Sequence, residues 1–296
     1  MSTEVREWTG RNVRVADIER ELAELRRDTM DMRTSVMTHC AWAPPEWQDA
    51  SRETLAGLSE QHPSRTLLLF PQDDDRNELD AELSLQCFTL KELEKNVCSE
   101  VIELHLHGRR SQAPASIVLP LLLPDLPAFL RWRGQPAFGE SSFEQLVDVI
   151  DRLVVDSREW PDAPGCYPTL AEYFERVAVS DIVWTRTLRW RRAIARLWPG
   201  VADVSELHVV GPEQEATLLV GWLRSRVERD VELRHEPAER VELLELDGRE
   251  VRAREDRWSP SDLLSHELDR FARDEIYEAA VAASAKSGGS PGEDES

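Results

Sequence analysis

The chain has 296 residues, and 57 acidic side chains outnumber 36 basic ones, which gives a formal net charge of −21. This length and a hydrophobic content of 41% suffice for one large or two ordinary domains. Because so acidic a surface repels nucleic acids and anionic membranes, we expect neither as a partner. The charged amino terminus lacks the apolar run of a secretory signal, and residues 115–130 are too short to span a bilayer, so we expect a cytoplasmic protein.

Apolar periodicity predicts the elements of the first half of the chain. Apolar residues at helical spacing predict an amphipathic helix over 15–25, and another helix is expected over 47–59. Strands are predicted where apolar residues are β-branched, clustered or alternate with polar ones. These strands cover residues 33–42, 66–70, 79–87 and 101–107.

The segment 115–134 is the most apolar part of the chain. Residues 117–123 carry no charge and predict a strand buried on both faces, which ends or bulges at Pro120. A short helix is expected over 128–131. The segment then delivers polar side chains to the carboxyl edge of the sheet, where α/β proteins tend to form their sites. These side chains are Asp125, Arg131, Trp132 and Arg133.

The second half begins after a predicted helix over 141–155, which opens with the capping-box pattern Ser142-x-x-Gln145. Several prolines after residue 160 indicate a connector, and Thr169 is expected to cap a short helix. Asp247-Gly248 between alternating runs predicts a hairpin. The other predicted elements are helices over 181–198, 211–227 and 263–282, and strands over 204–210 and 231–235.

These elements predict an α/β (α+β) protein of two mixed-sheet domains with flanking amphipathic helices. The N-terminal domain is expected over 1–160, with the strand 117–123 in its core. The C-terminal domain is expected over 161–283 and contains the helix 181–198 and the hairpin 241–254. Residues 284–296 are rich in glycine, serine and charge, which predicts a disordered tail.

The helix 181–198 is rich in tryptophan and arginine. Its apolar side carries Val183, Trp190, Ile194, Leu197 and Trp198, extended by Trp184 and Leu188, and its opposite side carries Arg186, Arg189, Arg192 and Arg196. The arginines either pair with acidic residues of the same chain or bind a phosphate or an acidic partner. The candidate partner-binding residues are Arg131, Trp132, Arg133, Trp184, Arg186, Arg189, Trp190 and Arg192.

Motifs for catalysis and cofactor binding are missing from the sequence, which has neither a dinucleotide fingerprint nor a phosphate-binding loop. His105 and His107 have metal-ligand spacing but no third ligand nearby, so we expect no metal and no cofactor. The four cysteines are scattered, which is typical of reduced, buried thiols. Cys87 and Cys98 could meet if their strands pair as a hairpin, so a redox pair stays open.

Five separated blocks of sequence resemble the OpcA family, the bacterial glucose-6-phosphate dehydrogenase assembly proteins. The blocks are HPSRTLLLF at 62–70, CSEVIELHLHG at 98–108, ASIVLPLLLPDLPAFLRWRG at 115–134, DRLVVDSREW at 151–160 and DIVWTRTLRWR at 181–191. The similarity covers residues 13–255 in the order and spacing of the family. Its matched polar positions without an assigned role are Ser64, Arg65, Asp125, Asp156, Ser157 and Asp181.

The resemblance implies a non-catalytic partner that binds the dehydrogenase, supports its oligomeric form and activates it in the NADPH-producing oxidative pentose phosphate pathway. Such activation is allosteric if the chain prefers the active conformation of the enzyme. Two alternatives stay open: a cytosolic sugar-phosphate or redox sensor, with Arg65, Arg131 and Arg133 holding the phosphate, and an enzyme of unrecognised type. Self-association within the complex also stays open.

Overall fold

The computed structural model describes residues 4–27, 35–56, 58, 62–90, 95–254 and 258–284. The strands in these residues are β1 (Glu4–Gly10), β2 (Thr38–Trp42), β3 (Arg65–Gln72), β4 (Leu79–Leu90), β5 (Lys95–His107), β6 (Ala128–Trp132), β7 (Arg152–Val155), β8 (Ala178–Asp181), β9 (Glu206–Gly211), β10 (Glu232–Pro237), β11 (Leu243–Leu246) and β12 (Arg249–Glu250). The α-helices are α1 (Val15–Arg27), α2 (Gln48–Ala56), α3 (Arg109–Gln112), α4 (Ala115–Leu121), α5 (Ser141–Val147), α6 (Ala163–Ala171), α7 (Ile182–Arg186), α8 (Leu188–Ala195), α9 (Glu213–Val227), α10 (Pro260–Leu268) and α11 (Glu275–Ser284).

The chain forms two compact units, each assembled from separate segments. The first takes residues 1–156, 176–179 and 258–271, and the second takes residues 157–175, 180–257 and 272–296. Helix α10 therefore belongs to the first unit, although the sequence analysis grouped it with the C-terminal domain. Two contacts hold it there: the Ser261 hydroxyl donates to the Thr54 carbonyl oxygen at 2.9 Å, and His62 Nε2 lies 2.7 Å from Ser265 Oγ.

A mixed sheet of the order β1-β4-β5-β3-β2-β6-β7-β8 forms the core of the first unit. The pairs β1–β4 and β4–β5 are antiparallel, and the pairs from β5 through β7 are parallel. In the predicted alternating strands, Leu83 lies opposite Ile102, and both side chains are buried. The prediction of a mixed α/β fold is thus confirmed.

The apolar segment after Pro114 forms α4, so the prediction of a buried strand over 117–123 was wrong. Ile117, Val118 and Leu121 are buried, whereas Leu119 between them is 58% exposed, which is the spacing of a helix. Pro120 is accommodated in the last turn of this short helix. A short apolar run fits a buried strand and a buried helix equally well, so periodicity alone could not separate them.

The predicted helix over 128–131 is the strand β6. Its five residues are all buried, and it lies parallel to β2 on one side and to β7 on the other. The presence of a strand instead of a helix changes the position of two candidate residues. Arg131 and Trp132 lie inside the sheet instead of in a polar turn beyond it.

Three predicted helices divide into shorter elements. The helix expected over 141–155 ends at Val147, and residues 152–155 form β7. The helix expected over 181–198 is split at Thr187 into α7 and α8, and the one expected over 263–282 is split into α10 and α11. Apolar periodicity continues through each break, so the spacing did not reveal where the helices end.

The sheet of the second unit has the order β10-β9-β11-β12, with β10 parallel and β11 antiparallel to β9. The predicted hairpin is confirmed: β11 and β12 pair around Asp247 and Gly248, whose φ angles of 47° and 75° suit a tight hairpin turn. The carboxylate of Asp247 also accepts from the backbone N–H groups of Ser205 and Glu206. The turn is therefore tied to the start of β9.

Candidate interaction surface

The candidate anchor Trp132 is a core residue of the first unit. Its side chain is 3% exposed and stacks on Trp42, its partner across β2 and β6, with ring centroids 5.0 Å apart. Phe143 meets it edge-on at 4.9 Å, and its indole N–H donates to the Gln135 carbonyl oxygen at 3.2 Å. Trp132 therefore stabilises the sheet and leaves almost no surface for a partner.

The two arginines beside Trp132 have different surroundings. Arg131 is buried, and its guanidinium donates to the Trp132 carbonyl oxygen. Burial, followed by the charge of Arg131, lowers the pKa of His39 to about 4. Arg133 is half-buried, with its guanidinium 4.7 Å from the centroid of the Trp47 ring, at cation–π distance. Only Arg133 of this tripeptide reaches the surface.

Ser64 and Arg65, two polar residues of the sequence block at 62–70, lie at the start of β3 and are buried. The Arg65 guanidinium donates to Glu100 at 2.8 Å and to the Leu121 carbonyl oxygen at 2.7 Å, and Ser64 Oγ lies 3.3 Å from a neighbouring threonine hydroxyl. Thr38 of β2 pairs with Arg65 of β3 on one side and with Ala128, the first residue of β6, on the other. Arg131 lies three residues further along β6. Because a strand rises about 3.3 Å per residue, Arg131 and Arg133 lie further along the strand direction than Arg65. The three arginines therefore do not come together in the phosphate site that the sensor hypothesis requires.

Trp184 is an internal anchor of the second unit and is 2% exposed. Its indole N–H donates to the Asp274 carboxylate at 2.9 Å, and its ring lies 5.7 Å from that of Tyr277. The Arg191 guanidinium covers the ring at 3.3 Å from its centroid. Trp184 thus joins α7 to the start of α11 and presents no surface to a partner.

Helix α8 and its C-cap residue carry three arginines of the predicted stripe. Trp190 and Ile194 are buried, Arg189 is half-buried beside the Trp190 ring, and Arg192 and Arg196 are exposed. In the described part of the chain, none of these three arginines has a carboxylate partner. With respect to the described residues, their charges are therefore available to an external anion.

Arg186, the first arginine of the stripe, lies near a buried charge pair. The pair joins Glu215, which is 1% exposed in the first turn of α9, to the guanidinium of Arg158. Burial raises the pKa of Glu215, and the charges of Arg158 and Arg186 oppose that rise. Neither residue was predicted as part of a site: an acidic side chain in a first helical turn is usually exposed, and the sequence does not show that Arg158 pairs with Glu215.

The matched residues Ser157 and Asp181 are fully buried and order the start of α7. The Asp181 carboxylate accepts from the backbone N–H groups of Val183 at 2.9 Å and Ser157 at 3.1 Å. The Ser157 hydroxyl lies 2.9 Å from that of Tyr167. Asp156 is also buried, whereas Asp125 is exposed at a positive φ of 62°. Asp156, Ser157 and Asp181 thus have fixed places in the fold, and Asp125 marks a turn.

Among the described residues, the histidines and cysteines form no metal site. His107 Nδ1 lies 2.7 Å from the Asp74 carboxylate, and the described residues contain no cluster of three or more potential metal ligands. Cys98 is disulfide-bonded, which corrects the expectation of reduced cysteines, and the strand register places Cys87 opposite it. Cys40 and Cys166 are free. None of the described helices has the length and apolarity to cross a membrane.

Comparisons with known proteins match both halves of the chain. The family model for the glucose-6-phosphate dehydrogenase subunit N-terminal domain matches residues 56–172, and that for the C-terminal domain of the same subunit matches residues 177–281. Three curated relatives bear the name putative OxPP cycle protein OpcA. They come from Synechocystis sp. (23% identity over 58% of this chain and 38% of the relative), Synechococcus elongatus (24%, 57% and 41%) and Nostoc punctiforme (25%, 65% and 45%). The matched segment spans less than half the length of these relatives.

Proposed function

Because the chain belongs to the OpcA family of glucose-6-phosphate dehydrogenase assembly proteins, we propose that it binds this dehydrogenase and activates it without catalysing a reaction itself. The observation that carries the proposal is the match of both domain models of the dehydrogenase subunit, over residues 56–172 and 177–281. The name of the curated relatives, which refers to the OxPP cycle, supports the same pathway for this chain.

Activation requires a difference in affinity between two conformations of the dehydrogenase. A protein that binds both conformations equally well shifts nothing, however tightly it binds. A tenfold shift toward the active conformation requires a differential binding free energy of about 1.4 kcal/mol. A few well-placed contacts can supply that amount.

Three arginines on or next to α8 are the contacts that the geometry favours. Arg189, Arg192 and Arg196 concentrate positive charge on one helix of a chain whose net charge is −21. Guanidinium groups bind carboxylates through paired hydrogen bonds, so an acidic face of the dehydrogenase would complement this helix. Trp190 supports the helix from beneath, since it is 7% exposed.

The double substitution Arg189→Glu and Arg192→Glu is expected to weaken binding to the dehydrogenase by about tenfold or more and to slow association at low salt. Binding kinetics at low and high salt measure both effects. Arg20→Glu with Arg27→Glu on α1 is the matched control, because it changes the net charge equally at exposed positions. An equal loss in both double variants, or no loss in either, would remove α8 from the interface.

Enzyme kinetics test the function itself. The rate of the dehydrogenase is measured with and without the chain, at low and saturating glucose 6-phosphate. The proposal predicts a lower apparent KM or a higher kcat when the chain is present. Calorimetric titration of the isolated chain with glucose 6-phosphate is expected to give no binding heat. Heat of binding together with an unchanged rate would support the sensor instead.

A further inference from the structure

An apolar groove of about 290 Å³ opens beside the carboxyl end of α8. Its lining includes Ile194, Trp198, Val201, Trp222, Leu223 and Arg226. Trp198 is 54% exposed, and its neighbour Leu197 is 48% exposed. Both were predicted to lie on the apolar side of one long helix. They are exposed because α8 ends at Ala195 and the following residues form turns.

The groove differs from ordinary scattered surface hydrophobics. Single exposed apolar side chains are common, but adjoining ones around a concave surface mark interaction sites. The volume is at the lower end of the range for small-molecule pockets, which begins at about 300 Å³. A space of this size accommodates one large apolar side chain, the kind of anchor that dominates protein interfaces.

One arginine lines this groove, and two more lie close to its lining residues in the sequence. Arg226 lines it, Arg196 directly follows the lining residue Ala195, and Arg192 lies about one helical turn before Ala195. All three are exposed, and within the described ranges none of them pairs with a carboxylate. The nearby Arg229, by contrast, already binds Asp203 at 2.6 Å. An occupant of the groove would therefore gain from carboxylates beside its apolar anchor.

We propose that the groove receives one large apolar side chain, flanked by Asp or Glu residues, from a segment of the dehydrogenase. The inference rests on the proposed function and specifies the chemistry of the docked surface. The chain's own residues 285–296 contain no large apolar side chain that could fill the groove. A second copy of the chain carries the same net charge of −21, which opposes self-association.

Two substitutions test the groove in opposite ways, with binding to the dehydrogenase as the readout. Trp198→Ala removes its exposed wall, and Ala195→Trp fills it. Each is expected to weaken binding by about tenfold or more, mainly through faster dissociation. Because both positions are exposed, thermal unfolding of the variants should stay near that of the unmodified chain. Trp258→Ala is the matched control, since Trp258 is 41% exposed in the first unit.

The outcomes separate the groove from the proposed function. If the unmodified chain binds the dehydrogenase and both groove variants bind with unchanged affinity, the proposed role of the groove is contradicted and the proposed function is not. Absence of binding by the unmodified chain would overturn both. Self-association of the chain alone that is lost in Trp198→Ala would assign the groove to a second copy and contradict the proposed occupant.

Discussion

Replacing Trp132 with alanine is expected to lower the free energy of unfolding by about 3–5 kcal/mol. The substitution opens a cavity where β2 and β6 meet, because Trp132 stacks on Trp42 and contacts Phe143 in a closely packed core. It also leaves the Gln135 carbonyl oxygen without its indole donor. Urea denaturation followed by circular dichroism measures the change.

The control for this prediction is Trp258→Ala. Trp258 is 41% exposed, and its ring lies beside His266, 5.3 Å away. Its removal is expected to cost about 1 kcal/mol or less, as for most partly exposed positions. A small loss for Trp132→Ala, equal to that of the control, would contradict the placement of Trp132 in the core.

Replacing Arg158 with methionine is expected to destabilise the second unit by about 3–5 kcal/mol, because it leaves the buried carboxylate of Glu215 without its principal counter-charge. The double variant Arg158→Met with Glu215→Met is expected to recover most of that loss, since an apolar pair avoids the cost of burying charge. The free energies of unfolding of both single variants and the double variant, measured by denaturation, complete a double-mutant cycle. Additive losses would show that the two side chains do not act as a pair.

The same pair predicts a dependence on pH. Burial raises the pKa of Glu215 above its usual value of 4.5, so the folded state favours the protonated side chain. The stability that protonated Glu215 contributes is fully present below pH 4.5 and is lost as pH rises through the raised pKa. In Arg158→Met the pKa of Glu215 rises further, so this variant is expected to lose more stability at neutral pH than at mildly acidic pH. Glu215→Gln is expected to abolish this difference, and a difference that persists would contradict the assignment.

Local patterns predicted the elements that local interactions determine. The alternating residues of β4 and β5 and the Asp247-Gly248 turn define their own conformations, and the structure has them where expected. The run over 117–123 was misinterpreted because its length and apolarity suit a strand as well as a helix. Only tertiary packing, which buries one face of α4 and leaves Leu119 exposed, separates the two.

The candidate site shows the same limit. The sequence gives the charge of an arginine but not its partner: Arg65 binds Glu100, which is 35 residues away and becomes adjacent only when β3 pairs with β5. The exposure of Trp198 depends on where α8 ends: Pro199 and Gly200 show that a helix stops nearby, but not that it stops already at Ala195. All three candidate tryptophans, Trp132, Trp184 and Trp190, are buried and support the fold from inside. The exposed arginines of α8 remain the candidates for direct contact.

The most direct test of the central proposal is the mass of the species formed when the chain is mixed with glucose-6-phosphate dehydrogenase from the same organism. Light scattering after size-exclusion chromatography measures that mass without a label. The proposal predicts a species heavier than either protein alone, which contains both chains and dissociates as salt is raised. Two separate species with the masses of the individual proteins, at low and high salt alike, would contradict it.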